Sequence, residues 1–257
     1  MEFHKKKRTR GLMPCPIFSI PGVSAKSIFL DWLHCADAGV TCDIAGNIFC
    51  DVLPFLDSSR QKGIEQLWVL LLQWYRDNDI TDRIDKLKAE HFLVAGKPPK
   101  LKCKAAACRQ LVPFLKFLCD ACFQEGNPKV KLYHKTIKQL AAKLNQCYQT
   151  LHEWNPEVLA TTCRETCLLM VALEDYAQFN CPGTLRWRCK PKMHVWQELC
   201  EYQCFTKGNP KFFWCYKDED FWKLAVKIGE RRGGRNTAKS VAENIFCRFF
   251  ALTAFPV

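Results

Sequence analysis

The amino-acid sequence predicts a mainly helical fold with a few short strands. Long stretches whose apolar residues recur with helical spacing fill the middle of the 257-residue chain, and clusters of proline and glycine separate them. Only two short runs have the β-branched and aromatic composition that is typical of strands. With 48% hydrophobic and 25% charged residues, the chain has the composition of a soluble globular protein and can bury one large core or two smaller ones.

Changes in composition divide the chain into four predicted segments. The first, 1–26, is basic and rich in proline, so we expect it to be extended. It is followed by segments 27–60, 61–180 and 181–257. The second segment opens with the run Ser-Ile-Phe-Leu at 27–30, which predicts a strand.

The third segment, 61–180, is predicted to be a block of helices. The stretch 64–77 is apolar round most of its circumference, as a buried helix is. Asn155 followed by Pro156 is a typical helix start, with a capping side chain and then proline in the first turn. The other predicted helices of this block are 82–92, capped by Thr81, then 105–123, kinked at Pro113, and 130–153.

The last segment, 181–257, differs in texture from the helical block. A predicted helix at 192–205 ends before the turn Gly208-Asn209-Pro210, and the aromatic run 212–216 predicts the second strand. Two further helices are predicted, at 218–232 and 237–252.

The 17 cysteines indicate a reducing compartment. Most of them lie inside apolar helical or strand-like patterns, where a reduced thiol behaves as a small hydrophobe. Cys119 and Cys122 form a C-x-x-C pair, but no second pair follows at zinc-finger spacing. The i, i+4 pair Cys163 and Cys167 fits core positions on a helix, so we expect structural packing rather than metal binding.

The formal net charge of +12 indicates a polyanionic partner. Nucleic acid is the simplest one, because lysines and arginines that neutralise phosphates release counterions; a role in solubility alone is the alternative. The cluster from Lys5 to Arg10 suits a nuclear-import signal or an arm that grips phosphates, and we predict a nuclear location. The sequence has no uninterrupted apolar span of roughly 18 residues, so we expect neither a membrane partner nor secretion.

Two acidic sites follow the two predicted strands. Asp31 comes directly after the first strand, and Asp218-Glu219-Asp220 comes after the second. A carboxylate at the end of a strand and another at the start of a helix can converge on one divalent cation, although they are distant in sequence. The alternative is that Asp31 is a local cap and that 218–220 is the solvated first turn of a helix.

Two blocks of sequence resemble the ribonuclease-H-like transposases of eukaryotic cut-and-paste DNA transposons. The first is Phe29-Leu30-Asp31-Trp32-Leu33-His34, followed by Gly39-Val40, which is similar to the segment around the second catalytic aspartate of the family. The second is Lys190-Pro191-Lys192-Met193-His194 with Gly208-Asn209-Pro210 and Trp214-Cys215-Tyr216-Lys217-Asp218-Glu219, which is similar to the closing motif. Both blocks also resemble mobile-element proteins of dinoflagellate-type genomes.

The resemblance implies a catalytic site for Mg²⁺ or Mn²⁺. Asp31 would be the second carboxylate and Glu219 the third, with Asp218 as a further metal ligand. His34 and His194 would orient the site. The implied nucleic-acid contacts are the basic residues Lys5, Lys6, Lys7, Arg8, Lys190, Lys192, Arg231 and Arg232.

The family's first catalytic aspartate has no counterpart, because only thirty residues precede Asp31. The resemblance therefore implies the C-terminal part of a transposase, a truncated ribonuclease-H-like core that carries a helical insertion at 61–180. We expect a weak metal site, no independent catalysis and residual, non-specific DNA binding. The implied partners are DNA and either the missing N-terminal transposase segment or a homologous full-length transposase.

Two other functions stay open. One is a small basic helical interaction protein that binds an acidic protein or RNA, in which case Asp31 and Glu219 lie far apart. The other is a metal-dependent nuclease in which a substitute carboxylate, such as Glu174 or Asp175, completes the site. The distance between the Asp31 and Glu219 carboxylates distinguishes these functions.

Overall fold

A computed structural model of the protein describes residues 19–24, 27–123 and 128–216, together with the single positions Val226, Glu243 and Cys247. The chain divides into two units, Met1–Leu30 and Asp31–Val257. The described residues of the first unit form a turn and then a stretch without regular structure.

The second unit is built from helices. Their bounds are α1 (Leu33–Val40, wound as a π-helix), α2 (Thr41–Leu56), α3 (Arg60–Asp77), α4 (Ala105–Gln110), α5 (Val112–Cys122), α6 (Pro128–Thr150), α7 (Pro156–Asn180), α8 (Pro191–Glu198) and α9 (Cys204–Lys207). A π-helical turn, Leu199–Gln203, joins α8 to α9, and two 3₁₀ turns lie at Ala89–His91 and Pro210–Phe212.

Helices α1 and α2 form the centre of the second unit. Their side chains are buried on almost every side, since apolar residues cover the whole circumference and α3, α4, α5 and α8 pack around them. The π-helix bends at Gly39, whose φ of −113° and ψ of −106° are not helical. A Cβ at Gly39 would lie 2.9 Å from the carbonyl oxygen of His34, so the bend has room for glycine only.

Helices α6 and α7 form an antiparallel hairpin, because residues 151–155 connect them and their faces pack against each other. The side chain of Asn155 accepts hydrogen bonds from the backbone N–H groups of Glu157 (3.1 Å) and Val158 (3.0 Å). Pro156 occupies the first turn. The predicted cap and start of α7 are confirmed, because both depend on local chemistry.

The predicted ribonuclease-H-like core is wrong. The described part of the chain is 70% helical and contains no strand or sheet. At 27–30 the chain has one residue in a 3₁₀ turn, Ser27, followed by three without regular structure, and Ile28 is 54% exposed. The run 212–216 does not form a strand either. The side chain of Asn209 accepts a hydrogen bond from the N–H of Lys211 and starts a 3₁₀ turn, Pro210–Phe212, where this run begins. A short apolar run becomes a strand only when a partner strand pairs with it, and the described residues supply none.

The predicted helix at 82–92 is also wrong. The hydroxyl of Tyr75 on α3 accepts a hydrogen bond from the backbone N–H of Ile84 (3.2 Å). Ile84 and Leu87 are buried, so their apolar side chains hold turns and a 3₁₀ segment against the helical core. The helical spacing of Ile84 and Leu87 therefore reflects their packing against the helical core and not a local helix.

The segment that follows crosses α2 at a glycine. The N–H of Leu101 donates to the carbonyl oxygen of Cys42 (2.9 Å). A Cβ at Gly46 would lie 2.6 Å from the backbone nitrogen of Lys100, closer than real contacts allow. Gly46 therefore permits the close approach that fixes residues 100–103 against α2.

A buried polar network joins α2 to the segment after α7. The side-chain oxygen of Asn47 accepts from the backbone N–H of Trp187 (2.9 Å) and from Nε of Arg186 (3.1 Å). Asp51 accepts from the hydroxyl of Tyr133 (3.0 Å) and from Nε1 of Trp187 (3.2 Å). Burial nevertheless raises the pKa of Asp51 above its ordinary value.

The stretch Leu33–Leu56 is long and apolar enough to cross a membrane by length and composition. In this fold 72% of its apolar window is buried inside the protein. The core helix of a soluble protein meets the same criteria, so the stretch is only weak support for a membrane segment.

Candidate functional site

The carboxylate of Asp31 caps the start of α1. Its Oδ2 accepts a hydrogen bond from the backbone N–H of His34 (3.0 Å) and also contacts Nδ1 of the His34 side chain. Its Oδ1 accepts from the backbone N–H groups of Leu33 (3.4 Å) and Cys215 (2.9 Å). This geometry agrees with the local-cap interpretation of Asp31.

Asp31, His34 and Cys215 also form a cluster whose potential ligand atoms lie within 4.8 Å of one another. Cys215 precedes Glu219 by four positions, but Glu219 and Asp218 lie outside the described residues. Mg²⁺ and Mn²⁺ prefer oxygen ligands, and the described part of the cluster offers one carboxylate. The Mg²⁺ or Mn²⁺ site therefore stays a prediction.

The described basic residues of the closing motif are engaged within the protein. Nζ of Lys190 lies 2.6 Å from the carboxylate of Asp43, and Nζ of Lys192 donates to the carbonyl oxygen of His34 (3.0 Å). His194 is exposed, with Nε2 3.7 Å from Oε1 of Glu198. The other predicted nucleic-acid contacts, Lys5, Lys6, Lys7, Arg8, Arg231 and Arg232, lie outside the described residues.

Glu174, one of the two candidate substitute carboxylates, has partners of its own. Its Oε1 lies 3.2 Å from Nε of Arg188, and its Oε2 accepts from the backbone N–H of Cys189 (3.2 Å). Asp175 is exposed on α7. Among the described residues, the ligand atoms gathered at Asp31 do not include those of Glu174 or Asp175.

A cleft of about 430 Å³ lies between α4, the end of α6 and the residues after α9. Its lining combines cations, amides and an indole ring, and the described lining residues include no carboxylate. They are Arg109, Gln110, Pro113, Asn145, Tyr148, Gln149, Leu151, His152, Lys211 and Trp214. The cleft is therefore positively charged and partly aromatic, which suits an anionic ligand with a flat ring.

Two aromatic rings position Arg109 in the wall of the cleft. The guanidinium carbon lies 4.9 Å from the ring centroid of Trp214 and 4.7 Å from that of Tyr216. The two rings meet edge to face, with centroids 5.3 Å apart. The guanidinium therefore packs against both aromatic side chains, and this cation–π contact holds its charge at the wall of the cleft.

A buried carboxyl group lies behind the cleft. Asp37 on α1 has no exposed surface, and its carboxylate accepts from Nε1 of Trp32 (3.2 Å) and from the hydroxyls of Tyr148 and Tyr216. Burial raises the pKa of Asp37 to about 7, although these donors and the charge of Arg109 act in the opposite direction. Tyr148 lines the cleft and contacts Asp37, so the two features share a side chain.

The thiols of Cys42, Cys103 and Cys108 form a cluster at the first turn of α2. The sulfur atoms of Cys42, Cys103 and Cys108 lie within 4.8 Å of one another, and the sulfurs of Cys42 and Cys108 are 3.4 Å apart. Hydrogen bonds with Cys108 and Cys42 lower the pKa of the Cys103 thiol, whereas hydrogen bonds with Cys103 and Cys42, together with burial, raise the pKa of the Cys108 thiol. The described cysteines are free thiols.

A second cavity, of about 500 Å³, is less suited to an anionic ligand. Its lining includes Asp57 beside Arg60 and Arg186, and several apolar side chains of α2. Nη2 of Arg186 already lies 2.7 Å from the carboxylate of Asp51. The charge of Arg186 is therefore balanced by Asp51, and Asp57 adds a negative charge to the lining of this cavity.

The sequence patterns did not reveal the cleft or the thiol cluster. Arg109, His152 and Lys211 come from three separate parts of the chain, and no local spacing connects them. Cys103 and Cys108 lie five positions apart, which is a usable signal for a pair of metal ligands. Cys42 has no sequence signal that links it to this pair.

Comparisons with known proteins assign no family. The transposase resemblance stays a prediction, since it has neither support nor refutation from relatives. No protein-family model matches the chain, and no curated protein or solved structure matches it either.

Proposed function

We propose that this protein binds single-stranded nucleic acid in the cleft of Arg109, His152, Lys211 and Trp214. The observation that carries the proposal is the lining itself, which places cations beside an indole ring with no carboxylate among the described lining residues. Proteins that bind single strands combine such charges, which attract the backbone, with aromatic rings on which bases stack.

The size of the cleft favours a single strand over a duplex. A volume of about 430 Å³ accommodates a base with its sugar and phosphate. In a duplex the base faces are covered by stacking and cannot reach Trp214, whereas an unpaired base can. The amide groups of Gln110, Asn145 and Gln149 offer both donors and acceptors to the edge of a base.

The net charge of +12 supports the same function. Lys102 and Lys104 are exposed on the segment that leads into α4, which carries Arg109. Each phosphate neutralised by such a residue releases counterions, so affinity would fall as salt rises. The proposal needs neither a metal ion nor catalysis, and it does not depend on a transposase origin.

The test is fluorescence anisotropy with the full chain and a labelled oligothymidylate, repeated over a series of salt concentrations. Lys211→Glu reverses a charge in the cleft and should weaken binding about 10-fold at low salt. Trp214→Leu removes the stacking ring and should also weaken binding about 10-fold. Lys62→Glu, on an exposed lysine of α3 outside the cleft lining, is the matched control and should change affinity less than about twofold.

Three outcomes contradict the proposal. Equal losses for Lys211→Glu and Lys62→Glu would mean that the charge acts diffusely and not through the cleft. Unchanged affinity in Trp214→Leu would exclude base stacking and favour an acidic protein as the partner. Tighter binding to the matching duplex than to either a DNA or an RNA single strand would place the interaction elsewhere. Circular dichroism and thermal melting of each variant exclude unfolding as the cause.

A further inference from the structure

We propose that Cys42, Cys103 and Cys108 form a binding site for a thiophilic metal ion, with Zn²⁺ as the expected occupant. The three sulfur atoms lie within 4.8 Å of one another, although Cys42 is distant in sequence from the other two. All three ligands would be sulfur, a donor set that selects Zn²⁺ or Cu⁺ over Mg²⁺ and Ca²⁺.

The spacing of the sulfur atoms suits tetrahedral coordination. Zinc–sulfur bonds of about 2.3 Å at tetrahedral angles separate two thiolates by about 3.8 Å. The sulfurs of Cys42 and Cys108 are 3.4 Å apart, and the widest separation in the cluster is at most 4.8 Å. Small side-chain rotations would bring all three sulfurs to bonding distance from one ion.

The backbone holds the three ligands in place. Cys42 lies in the first turn of α2, and its carbonyl oxygen accepts from the N–H of Leu101 (2.9 Å), which ties the segment carrying Cys103 to this turn. The close contact at Gly46 fixes the same segment. The N–H of Cys108 donates to the carbonyl oxygen of Lys104 (2.9 Å) in the first turn of α4. Such a preformed site reduces the cost of ordering the ligands.

The surroundings favour an ion with one open coordination position. Cys42 and Cys108 are buried, whereas Cys103 is half-buried, so an ion would enter from the side of Cys103. Three thiolates carry one more negative charge than Zn²⁺ neutralises. The ammonium group of Lys100 lies near Cys42 and offsets part of this excess. A water molecule or an external ligand would complete the tetrahedron.

Cobalt titration of the full chain under anaerobic, reducing conditions tests the site. Co²⁺ in a tetrahedral thiolate site gives strong visible bands and sulfur-to-metal charge-transfer absorption. We expect saturation at one Co²⁺ per chain and loss of the bands when Zn²⁺ is added. Cys103→Ser should weaken Co²⁺ binding at least about 100-fold, because it removes one of three ligands.

Cys122→Ser is the matched control. Cys122 is also half-buried, lies on α5 and forms a C-x-x-C pair with Cys119. Its replacement should leave the cobalt spectrum and the affinity unchanged. A loss in Cys122→Ser with full binding in Cys103→Ser would overturn the proposal, as would a wild-type chain without tetrahedral cobalt bands.

A measurement on the unaltered chain keeps the test independent of variant folding. Alkylation followed by mass spectrometry should show that Zn²⁺ protects Cys103 but leaves exposed Cys181 reactive. Equal labelling of Cys103 with and without Zn²⁺ contradicts the proposal. A Cys42–Cys108 disulfide, formed in air with the loss of two hydrogen atoms to oxygen and resistant to Zn²⁺, would show a redox pair in place of a metal site.

Discussion

The guanidinium of Arg186 lies 2.7 Å from the carboxylate of Asp51, which connects α2 to the segment after α7. Both side chains are largely buried, with 24% and 12% of their surfaces exposed. The hydroxyl of Tyr133 and Nε1 of Trp187 complete the coordination of the carboxylate. This pair is therefore a part of the core and not a surface salt bridge.

Replacing Asp51 by alanine should lower the free energy of unfolding by about 3 kcal/mol or more, because Arg186 loses its carboxylate while it remains buried. Denaturant unfolding measures the change. Asp120→Ala is the control, since Asp120 pairs with Lys116 (2.9 Å) on the exposed face of α5 and should cost less than about 1 kcal/mol. Equal effects of the two substitutions would contradict the assignment of the Asp51 pair to the core.

Asp37 should make stability depend on pH. Burial raises its pKa from 3.8 to about 7, so the folded protein keeps this proton where the unfolded chain has released it. Between about pH 4 and pH 7 the unfolded state binds fewer protons, and the free energy of unfolding falls as pH rises. This stabilisation is present below pH 4 and is lost as the pH passes through the folded pKa.

Asp37→Asn removes that titration. The difference in unfolding free energy between the variant and the wild type should move in favour of the variant, by up to about 4 kcal/mol, as pH rises from about 4 to 7. Denaturant curves at a series of pH values measure it. Curves that stay parallel over this range would show that Asp37 titrates at its ordinary pKa.

Gly46→Ala should destabilise the protein by about 1–3 kcal/mol, because the added Cβ would lie 2.6 Å from the backbone nitrogen of Lys100. The better helix propensity of alanine, worth about 1 kcal/mol, offsets only part of this clash. Gly63→Ala on α3 is the control, where the nearest atom is 3.1 Å away. A Gly46→Ala variant as stable as Gly63→Ala would show that residues 100–103 can shift freely.

Asn155→Ala should lower the free energy of unfolding by about 1 kcal/mol, since two backbone N–H groups of α7 lose their acceptor. Ser59→Ala provides the comparison. Ser59 precedes α3, and its side chain makes no capping hydrogen bond, so the change should be a few tenths of a kcal/mol. Thermal unfolding of the two variants side by side reveals whether the cap of α7 contributes as expected.

The parts of the fold that depend on residues close together in the sequence could be predicted. The Asn155–Pro156 start of α7 and the helix at 64–77 carry their own signals, but the expected burial of that helix on most sides is wrong, because α3 buries one face and leaves Val69 62% exposed. The strands at 27–30 and 212–216 could not be judged in this way, because a strand depends on a distant partner. For the latter run the turn formed by Asn209 and Pro210 decides the local structure.

The candidate sites depend on contacts between distant segments, and local patterns gave little information on them. Trp187 and Trp196 lie in basic stretches, yet both are fully buried, whereas Trp214 is half-buried in the cleft wall. Lys190 and Lys192 have the composition of phosphate contacts but are bound to Asp43 and to a backbone carbonyl. Side-chain environment, and not residue type, separates these cases.

Tyr148 connects the cleft with the buried carboxyl group of Asp37. One end of this ring borders the cleft, and its hydroxyl binds both Asp37 and Thr41. A molecule bound in the cleft that favoured one orientation of this hydroxyl would change the proton affinity of Asp37. By thermodynamic reciprocity, acidification would then change the affinity for that molecule, and binding would be accompanied by the uptake or release of protons.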